Sequence, residues 1–155
     1  MFPMPSDRFY TRLSMAAPAG ALKATGKLNI PIYRLTGGRV FGSLDGNPIL
    51  LLTTTGRKSG QQRTAPVIYL PDGDRMIVIG TNAGNLRTPA WALNLEANPD
   101  AEVETGRRRR PVRARVATGD ERAELWRRFS ERYSGFDDYA ANVTRDIRLF
   151  VLEPR

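Results

Sequence analysis

The sequence predicts an α+β fold that is mainly β: about six antiparallel strands in a meander closing toward a small barrel, with helices at its periphery. Three observations carry this. Short apolar or alternating runs recur at 49–55, 64–70, 75–81, 101–105, 112–116 and 147–153. Turns marked by glycine or proline separate neighbouring runs. Helical periodicity falls outside these runs, before the first and between later ones. A length of 155 residues suits a single core. Residues 1–29 read as an N-terminal segment, helical or mobile, and 30–155 as one domain.

The elements follow in order. Ser6 is a candidate N-cap for a short helix with Phe9, Leu13 and Ala16 or Ala17 on one face and Arg8 and Arg12 beside it, ended by Pro18 and Gly20. A basic amphipathic segment of this kind either lies on an anionic membrane or packs over a core. Residues 30–48 hold Pro31, Gly37, Gly38, Gly42, Gly46 and Pro48, and read as a connector with a short helix around Ile32–Leu35.

Strands 49–55 and 64–70 form the opening hairpin around Gly56-Arg57-Lys58-Ser59-Gly60. Arg57, Lys58 and Arg63 bring three cations to this turn, and Thr55, Ser59 and Gln61 add short polar groups. That mixture suits a phosphate or carboxylate cluster, since arginine grips a phosphate with two parallel bonds. It equally suits a solvated cationic tip. Pro71-Asp72-Gly73-Asp74 is a turn, and 75–81 a largely buried third strand. Asn82–Arg87 is a polar loop. Thr88 offers an N-cap and Pro89 a first helical position for a helix that stops at Asn98-Pro99. In it Trp91 and Leu95 stack at i, i+4 with Asn94 beside them; the indole either meets a flat ring or sits in the core.

Two further strands, 101–105 and 112–116, flank Arg107-Arg108-Arg109-Arg110. This hairpin tip is either a solvated turn or a contact for nucleic acid, lipid head groups or an acidic tail. Thr118-Gly119-Asp120-Glu121 has the form of a capping box. It opens a helix with Trp126, Phe129 and Tyr133 on one face. Ser134-Gly135 breaks that helix, a second runs from Phe136 to about Val143, and 147–153 is the last strand.

Composition excludes several chemistries. There is no cysteine and no histidine. Disulfides, Cys/His zinc sites, thiolate nucleophiles and histidine triads are therefore ruled out, no metal is expected, and redox chemistry is most easily borrowed from a bound cofactor. The net charge is +8, with 24 Lys and Arg against 16 Asp and Glu, which favours anionic partners. No apolar run approaches the ~20 residues that span a bilayer, so the expected location is cytoplasmic, with membrane association through the N-terminal segment as the variant reading.

The runs LLLTTTGRKSGQQRTAPV, DGDRMIVIGTNAG and TPAWALNLEANP, followed by YSGFDDY at 133–139, closely resemble the deazaflavin-dependent nitroreductase family of actinobacteria. The likeness covers residues 47–155. It implies a split β-barrel of the FMN-binding type and a cofactor, the 8-hydroxy-5-deazaflavin coenzyme F420, which carries a phosphate and an oligoglutamate tail. Carried over by position, it places Arg57, Lys58 and Ser59 on phosphate and tail. Arg63, Thr64, Ala65, Pro66, Val67 and Ile68 would line the deazaflavin, Ile79, Gly80, Thr81 and Asn82 would follow its other edge, and Ala90, Trp91, Ala92, Leu93 and Asn94 would close over it. Ile68, Tyr133, Phe136 and Tyr139 fall on the substrate side. Thr81, Tyr133 and Tyr139 are the candidate catalytic hydroxyls, with solvent as another proton source. Ile68 and Phe136 replace two tyrosines of the family's nitroimidazole-reducing member, which weighs against nitro-prodrug reduction without touching cofactor binding. The implied reaction is hydride transfer from reduced F420 to a quinone, activated alkene or nitro-type acceptor by a monomer or homodimer. The other readings are an FMN enzyme on the same barrel and a deazaflavin carrier without turnover. A nucleic-acid module is disfavoured because the aromatics do not interleave with the basic runs.

Overall fold

A computed structural model describes residues 19–44, 46–80, 88–133 and 147–155, without the side chains of 19–27 and 44. Its elements are α1 (Ala19–Thr36), β1 (Ser43–Leu44), β2 (Asn47–Thr55), β3 (Gln62–Asp72), β4 (Arg75–Ile79), α2 (Ala90–Ala97), β5 (Asp100–Thr105), β6 (Arg108–Val116), α3 (Gly119–Arg132) and β7 (Leu149–Pro154). The strands run β1-β2-β3-β4-β7-β6-β5, all antiparallel, and β5 pairs back onto β2 through Leu51↔Glu104, Leu52↔Val103 and Thr53↔Glu102. Six strands thereby close the expected barrel, and β1 is a two-residue flap on β2.

Closure explains why the third and last strands are apolar throughout rather than alternating. Side chains alternate between the two faces of a strand. Met76 and Val78 of β4, with Phe150 and Leu152 of β7, point into the barrel and join Leu50, Leu52, Val103 and Val112. Ile77, Ile79, Leu149 and Val151 point outward and meet Leu125 and Phe129 of α3. Both faces of these strands are buried, one under each core. Trp126 and Tyr133 pack on the outer core, as the spacing of the α3 face predicts.

Four local expectations need correction. The connector with a short helix at Ile32–Leu35 is instead the last turn of an 18-residue helix, α1, with Pro31 inside it. Proline removes an N–H and crowds the preceding turn, so local propensity argues against this helix. Tertiary anchoring outweighs it: Tyr33 is buried, its hydroxyl donates to the Ile49 carbonyl at 2.9 Å and accepts from Gly106 N at 3.2 Å. Arg34 adds a two-pronged bond to Glu104 at 3.0 and 2.9 Å. Second, Arg107–Arg110 is not a hairpin tip. β6 begins at Arg108, which pairs with Thr105, leaving only Gly106-Arg107 as the turn. Third, Thr118 is the N-cap of α3 but makes no side-chain cap bond. The Glu121 carboxylate that would complete the box is held by Arg115 at 2.9 Å. Likewise α2 starts one residue later than expected, with Pro89 and not Thr88 as N-cap.

Candidate functional site

The turn between β2 and β3 is built by its backbone. Gly56 N donates to the Gln61 carbonyl at 2.7 Å, and Gly60 N donates to the Gly56 carbonyl at 2.8 Å. Gly60 sits at φ +70°, a conformation glycine adopts without strain. A side chain at Gly56 would begin 2.6 Å from the Ser59 hydroxyl, which itself accepts from Gln61 N at 3.2 Å. The turn is thus compact, and it leaves Arg57, Lys58 and Ser59 exposed together. Arg63 is exposed one residue into β3, and the hydroxyls of Thr53 and Thr64 bridge the two strands at 2.8 Å.

α2 lies against the same end of the barrel. Ala92 and Leu95 enter the interior core, and Trp91 packs on it with its ring edge-on to Phe150, centroids 5.9 Å apart. The start of α2 also covers the end of β4: a Cβ on Gly80 would lie 3.4 Å from Ala92 Cβ and 3.7 Å from Pro89 Cδ. Asn94 joins α2 to the turn. Its Oδ1 accepts from Arg57 N at 3.1 Å, and its Nδ2 donates to the Thr54 hydroxyl at 3.1 Å. Thr54 continues the inward row of Leu50 and Leu52 and is absent from the residues that the sequence singles out. Its parity with those leucines is the signal that finds it.

Most of the sequence-predicted cofactor residues therefore converge. The turn, the first residues of β3, Ile79-Gly80 and α2 meet at one end of the barrel. Within β3, Val67 is interior, Ala65 packs on the interior core, Thr64 and Ile68 are half-buried, and Arg63 and Pro66 are exposed. On α2, Ala90 is exposed and Leu93 half-buried. Tyr133 is the C-cap of α3 and shares the outer core with Ile79. Thr81, Asn82, Phe136 and Tyr139 lie outside the described residues, as do the helices expected at 6–17 and 136–143.

Several surface arginines are neutralised by neighbouring carboxylates, and the cations of this turn are not among them. Acidic side chains elsewhere are taken up by other arginines: Asp72 by Arg75 and Arg128, Glu121 and Glu153 by Arg115, Glu96 by Arg148, Glu102 and Glu104 by Arg109. Arg75 and then Arg128 hold the Asp72 carboxyl below its ordinary value, and Arg115 does the same for Glu121. Burial pushes Glu104 up, but its bonds to Arg34 and the charge of Arg109 outweigh this and leave it lowered. Among the described residues Arg57, Lys58 and Arg63 have no carboxylate partner. The four-arginine run is different. Arg109 is paired with Glu102 and Glu104, Arg110 donates to Thr105 Oγ1 at 3.3 Å, and Arg107 reaches the Leu35 carbonyl at 3.4 Å. It serves this fold's own contacts in large part. An exposed cationic turn without a carboxylate partner among the described residues, beside a barrel end closed by an aromatic-bearing helix, fits a ligand with a flat head and a phosphate or carboxylate tail.

Known proteins are similar to this chain in sequence and in fold. The family model described as F420H(2)-dependent quinone reductase matches residues 25–154. The F420H(2)-dependent quinone reductase Rv1261c of Mycobacterium tuberculosis is 38% identical over 133 residues, 83% of this chain and 89% of its own. A solved F420-H2 dependent reductase (FDR-A) superposes with a TM-score of 0.63 at 33% identity, covering 68% of this chain and 94% of that one. A second solved structure, described as a domain-swapped dimer, gives a TM-score of 0.65 at 30% identity, covering 82% and 95%.

Proposed function

The chain belongs to the F420H(2)-dependent quinone reductase family, and from that premise we propose that Arg57, Lys58, Ser59 and Arg63 hold the phosphate and oligoglutamate tail of coenzyme F420. The protein is an oxidoreductase, and its family reaction is transfer of a hydride from F420H2 to a quinone. The nitroreductase label suggested by the sequence runs is the looser of the two descriptions. The observation that carries the binding assignment is the cationic turn next to α2, whose side chains have no carboxylate partner among the described residues. Charge-assisted bonds from such a turn contribute about 1.5–3 kcal/mol each.

When bound, the cofactor supplies the hydride. The chain's own residues bind, orient and shield. The backbone of β3 from Thr64 to Ile68 and Trp91 on α2 offer the surroundings for a planar ring. Gly80, with only hydrogen where a Cβ would press toward Ala92, leaves the barrel end free of a side chain there. Without histidine, the proton that completes a quinol comes from a hydroxyl or from water. Tyr133, half-buried at the end of α3, is the described candidate, and Thr81 and Tyr139 are the others. Mixing the protein with F420H2 and a panel of quinones is the test. Quinone-dependent loss of F420H2 is expected, and none across the panel would defeat the enzymatic reading. Titration with FMN in parallel checks the cofactor: tighter FMN binding would overturn it.

A second reading concerns where the enzyme works. Leu28, Ile32 and Leu35 recur on one face of α1, with Leu28 69% and Leu35 79% exposed, and exposed Val40 and Phe41 follow the helix. Arg39 stands beside them without a carboxylate partner among the described residues. Apolar side chains edged by cations suit the interface of an anionic bilayer. No helix among the described residues is long and apolar enough to cross one. Contact would therefore be peripheral. Flotation with vesicles of anionic phospholipid should carry the protein up, and Leu28→Ser/Leu35→Ser should leave it behind. Equal flotation of both proteins would refute this surface.

A further inference from the structure

Asn94 stands apart from the other residues of this end of the barrel, because its side chain is 4% exposed and both of its polar atoms are already engaged. A backbone N–H can only donate, so the bond from Arg57 N fixes which amide atom is the oxygen and leaves the nitrogen facing Thr54, itself 1% exposed. The turn's own bonds use Gly56 N and Gly60 N. Among the described residues, Asn94 is what holds the amide of Arg57. It sits three residues after Trp91 on α2, so one short helix carries both the aromatic wall and the tie to the cationic turn.

Resting on the cofactor reading above, we propose that Asn94 is a positioning residue: it sets the Arg57-Lys58-Ser59 turn at a fixed distance from α2, so that the flat head and the anionic tail of the cofactor are gripped in register. It does this through the Arg57 backbone and the Thr54 hydroxyl, not by touching the ligand. A buried amide that meets its full need with a neighbouring strand and turn rigidifies both. Freed of the tie, the turn keeps its charge but loses its set direction, and ordering it again on binding costs affinity. The loss falls on the tail, because the β3 wall and Trp91 stay where the barrel core puts them.

The test uses two ligands: intact F420, and the 8-hydroxy-5-deazaflavin head with its ribityl chain but no phosphate or glutamates. Asn94→Ala should raise the Kd for F420 about tenfold while moving the Kd for the head less than twofold. Thr54→Val covers the case in which the alanine variant does not fold. It keeps the shape of the buried site and removes the hydroxyl that anchors Asn94 Nδ2, and it should weaken F420 more than the head. Equal weakening of both ligands in whichever variant folds would reduce Asn94 to general support of the fold and overturn the proposal, as would unchanged F420 binding. Failure of the unmodified protein to bind F420 at all would instead remove the cofactor reading.

Discussion

Removing the cations of the β2–β3 turn gives the sharpest measure of the tail assignment. Two unit charges about 4 Å apart interact by about 1 kcal/mol in water and about 4 kcal/mol at the intermediate dielectric of a protein surface. Arg57, Lys58 and Arg63 are exposed, so the lower half of that range applies, about 1–2 kcal/mol for each. At about 1.4 kcal/mol per decade, Arg57→Ala or Lys58→Ala should weaken F420 binding roughly tenfold. The triple variant Arg57→Ala/Lys58→Ala/Arg63→Ala should weaken it at least about a hundredfold, less than the product of three because the charges share one tail. None of the three is engaged with a carboxylate of the described residues, so their removal breaks no ion pair there and the melting temperature should hold. Arg113→Ala is the control, an exposed arginine on β6 that faces Asp100 at 3.8 Å. Fluorescence titration should show the wild-type Kd rising steeply between about 0.05 and 0.5 M salt, and the triple variant losing most of that dependence. An unchanged Kd in the triple variant, or an equal loss in Arg113→Ala, would refute the assignment.

Three further outcomes follow from the same structure. Phe150→Ala empties a 1%-exposed site in the interior core beneath Trp91 and should cost about 3–5 kcal/mol in urea unfolding; a loss below about 1 kcal/mol would mean that this ring does not pack as described. Glu104 has its carboxyl held below the ordinary 4.5 in the folded chain, so its contribution is present above that value and is lost as pH falls through the folded value. Glu104→Gln should therefore be less stable than wild type at pH 7, with the gap narrowing as pH falls below the ordinary 4.5; a gap that does not change with pH would exclude the Arg34–Glu104–Arg109 cluster as its source. Gly60→Val forces a branched side chain to φ +70°, and since nothing lies within 4 Å of the added Cβ, strain alone should act. F420 affinity should fall while the thermal midpoint moves only a few degrees, and intact affinity would show that the turn's shape is not what binds.

The barrel was legible because its evidence is local and repeated. Alternation in 112–116, all-apolar runs at 76–79 and 149–152 and glycine- or proline-marked turns each point to strands, and their number suffices to close a sheet. What escaped was set by contacts distant in sequence. α1 contains Gly20, Gly26 and Pro31, so propensity breaks it into pieces. Its cohesion comes from Tyr33 and Arg34 reaching Ile49, Glu104 and Gly106, which no window of the sequence displays. The capping box failed for a related reason: Glu121 has an arginine six residues upstream on an adjacent strand, and a guanidinium outcompetes a backbone N–H for a carboxylate.

The candidate site divides along the same line. Charges and aromatics are residue types, so Arg57, Lys58, Arg63 and Trp91 stand out in the sequence itself. Their partners do not. Four arginines in a row look more like an anion site than the RKS of the turn. Yet the sheet register sets Glu104 opposite Arg109 and Glu102 opposite Pro111, so that Arg109 reaches both carboxylates, while Arg107 and Arg110 donate to neutral acceptors of the fold. The shorter cluster keeps its charge because the residues paired across this end of the hairpin are neutral where they are not cationic: Thr54 faces Arg63 and Thr55 faces Gln62. Availability of a cation is a property of register, and register becomes readable only when the strands are paired. The proposed tail site therefore rests on three cations gathered beside α2, not on density of charge along the chain.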